Sequence, residues 1–341
     1  MIEVDFLLGL ALIWIVFATF SDIKSREIPN WLNFSLIVFA LGFRFFYSLF
    51  LGSGDGFFWA IVLFALGLFL VLNFHGSYFK TRGEELLRFF FYSLIFICVI
   101  YFILVNPGNF LKGNFDFFYQ GLIGLGVFFI LGNLFYYGRV FAGGDVKLMI
   151  SLGAVLPVFL IFEQNVEVFI LFFFLFFGVG GFYGIIGSTF ISIKNFKQFK
   201  KGFGKTFSKN KRIFIIYSSF GILFLALGFF MSYLVYFGIV LFLIPYLYIF
   251  LKSVDEYCMI KEVPVSKLTP GDWLYKDVKI KNKTIRANWD GLSEEEINLI
   301  KHHKKKVLVR TGIVFAPVFL ISFVLFLVLL RSNFLSFFNF F

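Results

Sequence analysis

The sequence predicts an all-α polytopic membrane helix bundle of about ten transmembrane helices, with a small cytoplasmic α+β insert near the C-terminus. Three observations carry this prediction. Of the 341 residues, 60% are hydrophobic and only 15% charged, against about 45–50% and about 25% in an ordinary soluble domain. The apolar residues gather in runs long enough to cross a bilayer, and the basic residues gather in alternate gaps between those runs. A soluble globule, a disordered chain and a nucleic-acid binder are excluded, in spite of a formal net charge of +11. The 59 phenylalanines read as bulky, lipid-compatible filler.

A membrane span needs about 20 apolar residues. Such runs fall at 4–21, 31–51, 57–74, 89–105, 118–138, 146–162, 166–190, 213–230, 233–251 and 313–330. Only Met231 and Ser232 separate 213–230 from 233–251, so one kinked element is an alternative there. The first run lacks a basic leader and a small-x-small cleavage site, and reads as a retained helix. Three regions follow: a membrane core with additional helices over 1–251, a small cytoplasmic domain over 252–312, and a last helix and tail over 313–341.

The basic residues orient the bundle. With the N-terminus outside, 28 of the 31 Lys and Arg fall in inner loops, leaving Arg44, Lys112 and Arg331. Short loops rich in Lys and Arg stay cytoplasmic. The expected location is therefore the cell membrane, multi-pass, with anionic lipid head groups as partners for the positive charge. Eight cations between Lys194 and Arg212 mark an interfacial segment, with lipid binding and plain solvation both open.

Within 252–312, Thr269-Pro270-Gly271-Asp272 is a turn signal. The stretch from Trp273 to Lys281 partly alternates like a strand. Ser293-Glu294-Glu295-Glu296 reads as a capping box opening a helix that reaches about His303. Two cysteines, Cys98 and Cys258, and three histidines, His75, His302 and His303, provide neither a disulfide framework nor a metal site. No cofactor is expected. The run Gly178, Gly180, Gly181, Gly184, Gly187 contains a small-xxx-small pattern from Gly180 to Gly184, read as close helix packing.

Ionisable groups at membrane depth are costly, so each needs a reason to be there. Asp22 stands at the inner end of the first span, before Ile28-Pro29-Asn30. Asp145 stands at the inner end of another, in Phe141-Ala142-Gly143-Gly144-Asp145-Val146-Lys147-Leu148. Taken singly, Asp22 could end a hydrophobic helix and Asp145 could be a helix N-cap. Taken together, on one membrane face, they fit a carboxylate pair that shares one proton. One aspartate then acts as base toward a water and the other as acid toward a carbonyl oxygen. Gly143 and Gly144 allow a tight turn and a close backbone approach. Lys147 could lower the pKa of a nearby carboxylate or bind a substrate carbonyl, with snorkelling to the inner interface as the alternative. Gly52-Ser53-Gly54-Asp55 is a better-spelled G-x-G-D, yet the parity of spans puts Asp55 on the outer face, a membrane thickness from Asp22.

At these residues the chain resembles the type IV prepilin peptidase and archaeal preflagellin peptidase family of membrane aspartic proteases. The shared features are an early-helix Asp22 followed by Ile28-Pro29-Asn30, and Gly143-Gly144-Asp145-Val146-Lys147-Leu148. The resemblance covers roughly residues 1–190 and implies that Asp22 and Asp145 are the catalytic pair. It implies, as partners and substrates, precursors of pilin-like or archaellin-like filament subunits, cut at the cytoplasmic face just before their hydrophobic helix. Ala142 replaces the usual first motif glycine. The Cys-x-x-Cys elements and methylating domain of many bacterial members are absent, which favours the archaeal branch. Residues 252–312 and the helix after them look like the C-terminal extension of some archaeal members. A presenilin-type protease is disfavoured because Ser21, not Tyr, precedes Asp22. A transporter or channel with structural or ion-relay aspartates is the main alternative. A structural assembly protein is the third class.

Overall fold

The computed structural model describes residues 2–50, 116–280, 283–288 and 291–332. The expected spans 57–74 and 89–105, and Asp55 with them, lie outside the described residues. The chain falls into two compact units, one formed by Met1–Gly180 and Val314–Phe341, the other by Gly181–Ile313. Among the described residues, five helices are long and apolar enough to cross a membrane, and a sixth if one bent pair counts as a single span.

The first unit opens with α1 (Ile2–Ser25) and α2 (Asn30–Phe50). Arg26 takes the left-handed conformation at φ 59, and its N–H donates to the Asp22 carbonyl at 2.8 Å, ending α1. Pro29 then directs the chain into α2, because a helix seldom runs through the residue before a proline. α3 (Asp116–Tyr137) ends in a similar way. Arg139, at φ 58, donates to Tyr136, and Val140 donates to Phe135, which is a Schellman closure. Arg26 and Arg139 are the two non-glycine residues with positive φ among those described.

α4 runs only from Gly143 to Gly153. The sequence predicts a continuous helical span at 146–162, and its helical extent is corrected: the helix stops eight residues short of the next helix, α5 (Phe162–Lys194). Pro157 cannot donate to a helical ladder and constrains the residue before it. Close packing accompanies the break, since a Cβ on Gly153 would strike the Gly124 carbonyl and the Phe128 side chain. The carbonyls released by the break find a partner in Arg44. Its Nε donates to Ala154 at 2.9 Å, Nη1 to Phe117 at 2.7 Å, and Nη2 to Val155 at 3.0 Å and to Pro157. Arg44 is fully buried and lies over the Phe117 ring.

α10 (Ala316–Arg331) packs against α1 in the same unit. A phenylalanine layer joins α3, the α3–α4 turn, α5 and α10. Phe128 meets Phe169 and Phe172, Phe141 meets Phe176 and Phe315, and Phe176 meets Phe319 at a 4.6 Å centroid separation. Part of the phenylalanine excess is therefore core, held by edge-to-face and offset contacts.

The second unit holds the end of α5, then α6 (Phe196–Lys209), α7 (Lys211–Leu227) and α8 (Tyr233–Tyr257). The stretch from 213 to 251 is two helices rather than one kinked element. α7 and α8 form a tight antiparallel hairpin in which a Cβ on Gly221 would come within 2.7 Å of the Phe242 nitrogen, and one on Gly238 within 2.7 Å of the Leu225 nitrogen. α8 runs six residues past the expected 251, so the polar domain begins later than predicted. Along α5, a Cβ on Gly180 would approach Phe315 and one on Gly187 would approach Ile313, while Gly184 faces open space. Among the described residues, the close packing read for the glycine run therefore falls at Gly180 and Gly187, seven residues apart, and not at Gly184.

A small α+β body follows. β1 (Ile260–Pro264), β5 (Lys306–Arg310) and β2 (Trp273–Leu274) form an antiparallel sheet in the order β1-β5-β2, and β3 (Val278–Ile280) pairs with β4 (Lys283–Ile285). Tyr275 to Asp277 break the expected strand 273–281 into β2 and β3. Gly271, at φ 95, closes the Thr269–Asp272 turn. The Ser293 capping box opens α9 (Glu294–His303): Ser293 Oγ accepts from Glu296 N–H, and Glu296 Oε2 accepts from Ser293 N–H. Leu274, Ile285, Leu292, Ile297, Ile300, Val307 and Val309 are among its buried core.

Candidate aspartate site

Asp22 lies in the last turn of α1, where the negative end of the helix dipole opposes a carboxylate. It is nonetheless 8% exposed. The arrangement is offset from the other end of the chain. Asp22 Oδ2 accepts from the backbone N–H of Phe315 at 3.2 Å and of Ala316 at 2.9 Å. These are the first N–H groups of α10, which have no intrahelical partner of their own. The positive end of α10 therefore faces the carboxylate that its own helix disfavours.

Asp145 occupies the third position of α4, after the N-cap Ala142, and is not itself the N-cap. It lies in a helix too short to cross a membrane. It keeps part of its surface open, while protein surrounds the rest of its carboxyl group. Its pKa is pushed up from 3.8 to about 7, first by burial and then by the charge of Asp22, with a backbone hydrogen bond at Ala142 acting the other way. The two aspartates, far apart in sequence, thus lie within electrostatic reach.

The neighbouring motif residues meet as well. Lys147 Nζ donates to Asn30 Oδ1 at 2.7 Å, joining the α4 motif to the start of α2. That bond gives Lys147 a specific partner, beyond snorkelling. Gly144 lies against Ile28, so that a Cβ would sit 3.6 Å from the Ile28 Cβ. Gly143 would meet only the Tyr136 ring, also at 3.6 Å. Pro29 accepts from the Leu32 N–H through its carbonyl and serves the turn rather than the carboxylates. Phe141 and Phe315 are in ring contact at 5.2 Å, which brings the residues preceding Asp145 beside the residue that caps Asp22.

Two features escape the sequence reading. One is the role of Phe315 and Ala316, whose signal was only the Pro317 that marks a helix start. The other is Asn33, one turn into α2. It is 1% exposed, and neither polar atom of its amide has a hydrogen-bond partner. Among the described residues no group of His, Cys, Asp or Glu is placed to hold a metal ion. What the aspartates and their surroundings offer is acid–base chemistry: one carboxylate fixed by two N–H donors, and one that carries a proton near neutral pH. No family model matches the chain, and no curated protein or solved structure matches it either.

Proposed function

We propose that the chain is a membrane aspartic endopeptidase that cuts the signal segment of prepilin-like or preflagellin-like precursors at the cytoplasmic membrane face. The observation that carries this reading is the convergence of two aspartate-bearing turns, tied by the Lys147–Asn30 bond and by the influence of Asp22 on Asp145. In this reading Asp22, held through Oδ2, uses its other oxygen to take a proton from water. The resulting hydroxide attacks the scissile carbonyl carbon, while Asp145 gives its proton to the carbonyl oxygen. On collapse, the Asp22 proton passes to the leaving amine and the diol returns a proton to Asp145, so both carboxyls end as they began. The finer topology belongs to the same proposal: about ten spans, with 146–162 crossing as the short α4 and the non-helical residues after it, the N-terminus outside, and the α+β body in the cytoplasm.

The test is cleavage of co-expressed pilin-like and archaellin-like precursors in membranes. Asp22→Asn and Asp145→Asn each abolish processing, while Asp55→Asn retains it. Full activity of Asp145→Asn would overturn the assignment. One observation favours a second reading, in which the aspartates are purely structural: Asp22 already has a complete structural occupation as the cap of α10. That reading expects secretion to persist with no precursor processed.

A further inference from the structure

The second unit carries a surface that the aspartate reading does not use. α6 contains Lys197, Lys200, Lys201, Lys205 and Lys209 and no acidic residue, and all five lysines are exposed. Phe196, Phe199, Phe203 and Phe207 are spaced three, four and four residues apart, which places them in one stripe along the helix. Gly202 and Thr206 lie beside that stripe and are buried. A Cβ on Gly202 would strike the Tyr257 ring of α8, and Phe199 meets Phe250 of α8 at 5.6 Å. Docking on α8 therefore fixes which side of α6 faces outward. It leaves Phe196 61% exposed and the other three phenylalanines partly so, directly beside the lysine face.

The direction of α6 supplies a second, independent constraint. α6 and α7 are bent by 76° at Asn210. α7 lies antiparallel along α8, a 25-residue helix long and apolar enough to cross a membrane. With that hairpin across the bilayer, as the sequence expects, an axis that turns this far from it runs close to the bilayer plane. An in-plane helix with an aromatic stripe and a lysine face matches the chemistry of the lipid–water boundary.

We propose that α6 is an interfacial helix that seats its phenylalanine stripe at the acyl boundary and binds anionic phospholipid head groups through its five lysines. Its charge is unopposed on the helix, and the occupant that complements both faces at once is an anionic bilayer surface. This proposal does not depend on the aspartate site.

The test uses the full chain carrying Phe196→Trp, in nanodiscs of equal parts zwitterionic and anionic phospholipid. Bromine is placed on the upper acyl chain of one lipid or of the other. The fluorescence added by the new tryptophan, relative to the parent chain, is expected to be blue-shifted and quenched. Quenching by the brominated anionic lipid should exceed that by the zwitterionic one by about two-fold or more, from the attraction of several lysines. Replacing the five lysines by glutamine should bring the ratio to one while quenching persists, and raised salt should lower it. A water-exposed, unquenched tryptophan would overturn the proposal and leave the face to an acidic protein partner. Equal quenching by both lipids in the lysine-bearing chain would overturn the head-group assignment.

Discussion

Asp22 faces two demands that separate under mutation. Asn keeps an oxygen in place of Oδ2, so Asp22→Asn should preserve the bonds from Phe315 and Ala316. Asp22→Ala removes them, and loss of a capping oxygen costs about 1–2 kcal/mol. Thermal unfolding in detergent should therefore rank Asp22→Asn near the parent and Asp22→Ala clearly below it. Both variants should be equally inactive on a precursor. Equal stability of the two would dismiss the cap. Asp145 yields a pH prediction. Because its pKa is raised from 3.8 to about 7, the folded chain holds a proton across that window that the unfolded chain has released. Its contribution to stability therefore falls as pH rises through the window and levels off above about pH 7. The thermal midpoint of Asp145→Asn, relative to the parent, should climb from pH 5 to pH 8. On the proposed mechanism, processing by the parent should decline above about pH 7, as Asp145 loses its proton.

At the scale of elements, the break after α4 depends on one side chain. Arg44 bonds the carbonyls of Phe117, Ala154, Val155 and Pro157. Arg44→Leu strands those acceptors in an apolar interior and is expected to cost more than about 3 kcal/mol. Arg44→Lys should recover little, because a single ammonium cannot reproduce the planar fork. Chemical unfolding of the purified chain distinguishes these outcomes. The sequence shows why this element was misjudged. The hydropathy of 146–162 does not change at Gly153, and Arg44 looked like a stray charge outside the basic loops. Its purpose becomes visible only when a segment more than 100 residues later is placed beside it. Local signals fared better. Ser293 and Glu296 announce the start of α9 because a capping box is completed within four residues.

At the scale of the molecule, hydropathy made the class legible: among the described residues, five helices are long and apolar enough to cross a membrane. The two aspartates were legible as candidates through their flanking motifs, whereas the Phe315 and Ala316 N–H groups that bond Asp22 were not. No periodicity links Asp22 to Ala316, since that pairing is tertiary and its partner is a backbone N–H common to nearly all residues. The proposed sidedness rests on charge and has its own check. In a chain whose Cys98 and Cys258 are replaced by Ser, Ser208→Cys and Ser266→Cys should react with a membrane-impermeant thiol reagent only after permeabilisation of cells. Labelling of intact cells at either position would reverse the orientation.

The bond from Ala316 to Asp22 also has a meaning in time. Its partners are 294 residues apart, so at about 5–20 residues per second the carboxylate waits roughly 15–60 seconds of synthesis for its cap. Throughout that interval α1 and its aspartate exist without α10. The surroundings of Asp22 are finished only after Phe315 and Ala316 have been translated. On the proposed function, such an order of assembly leaves the carboxylate pair incomplete until the start of α10 has been made.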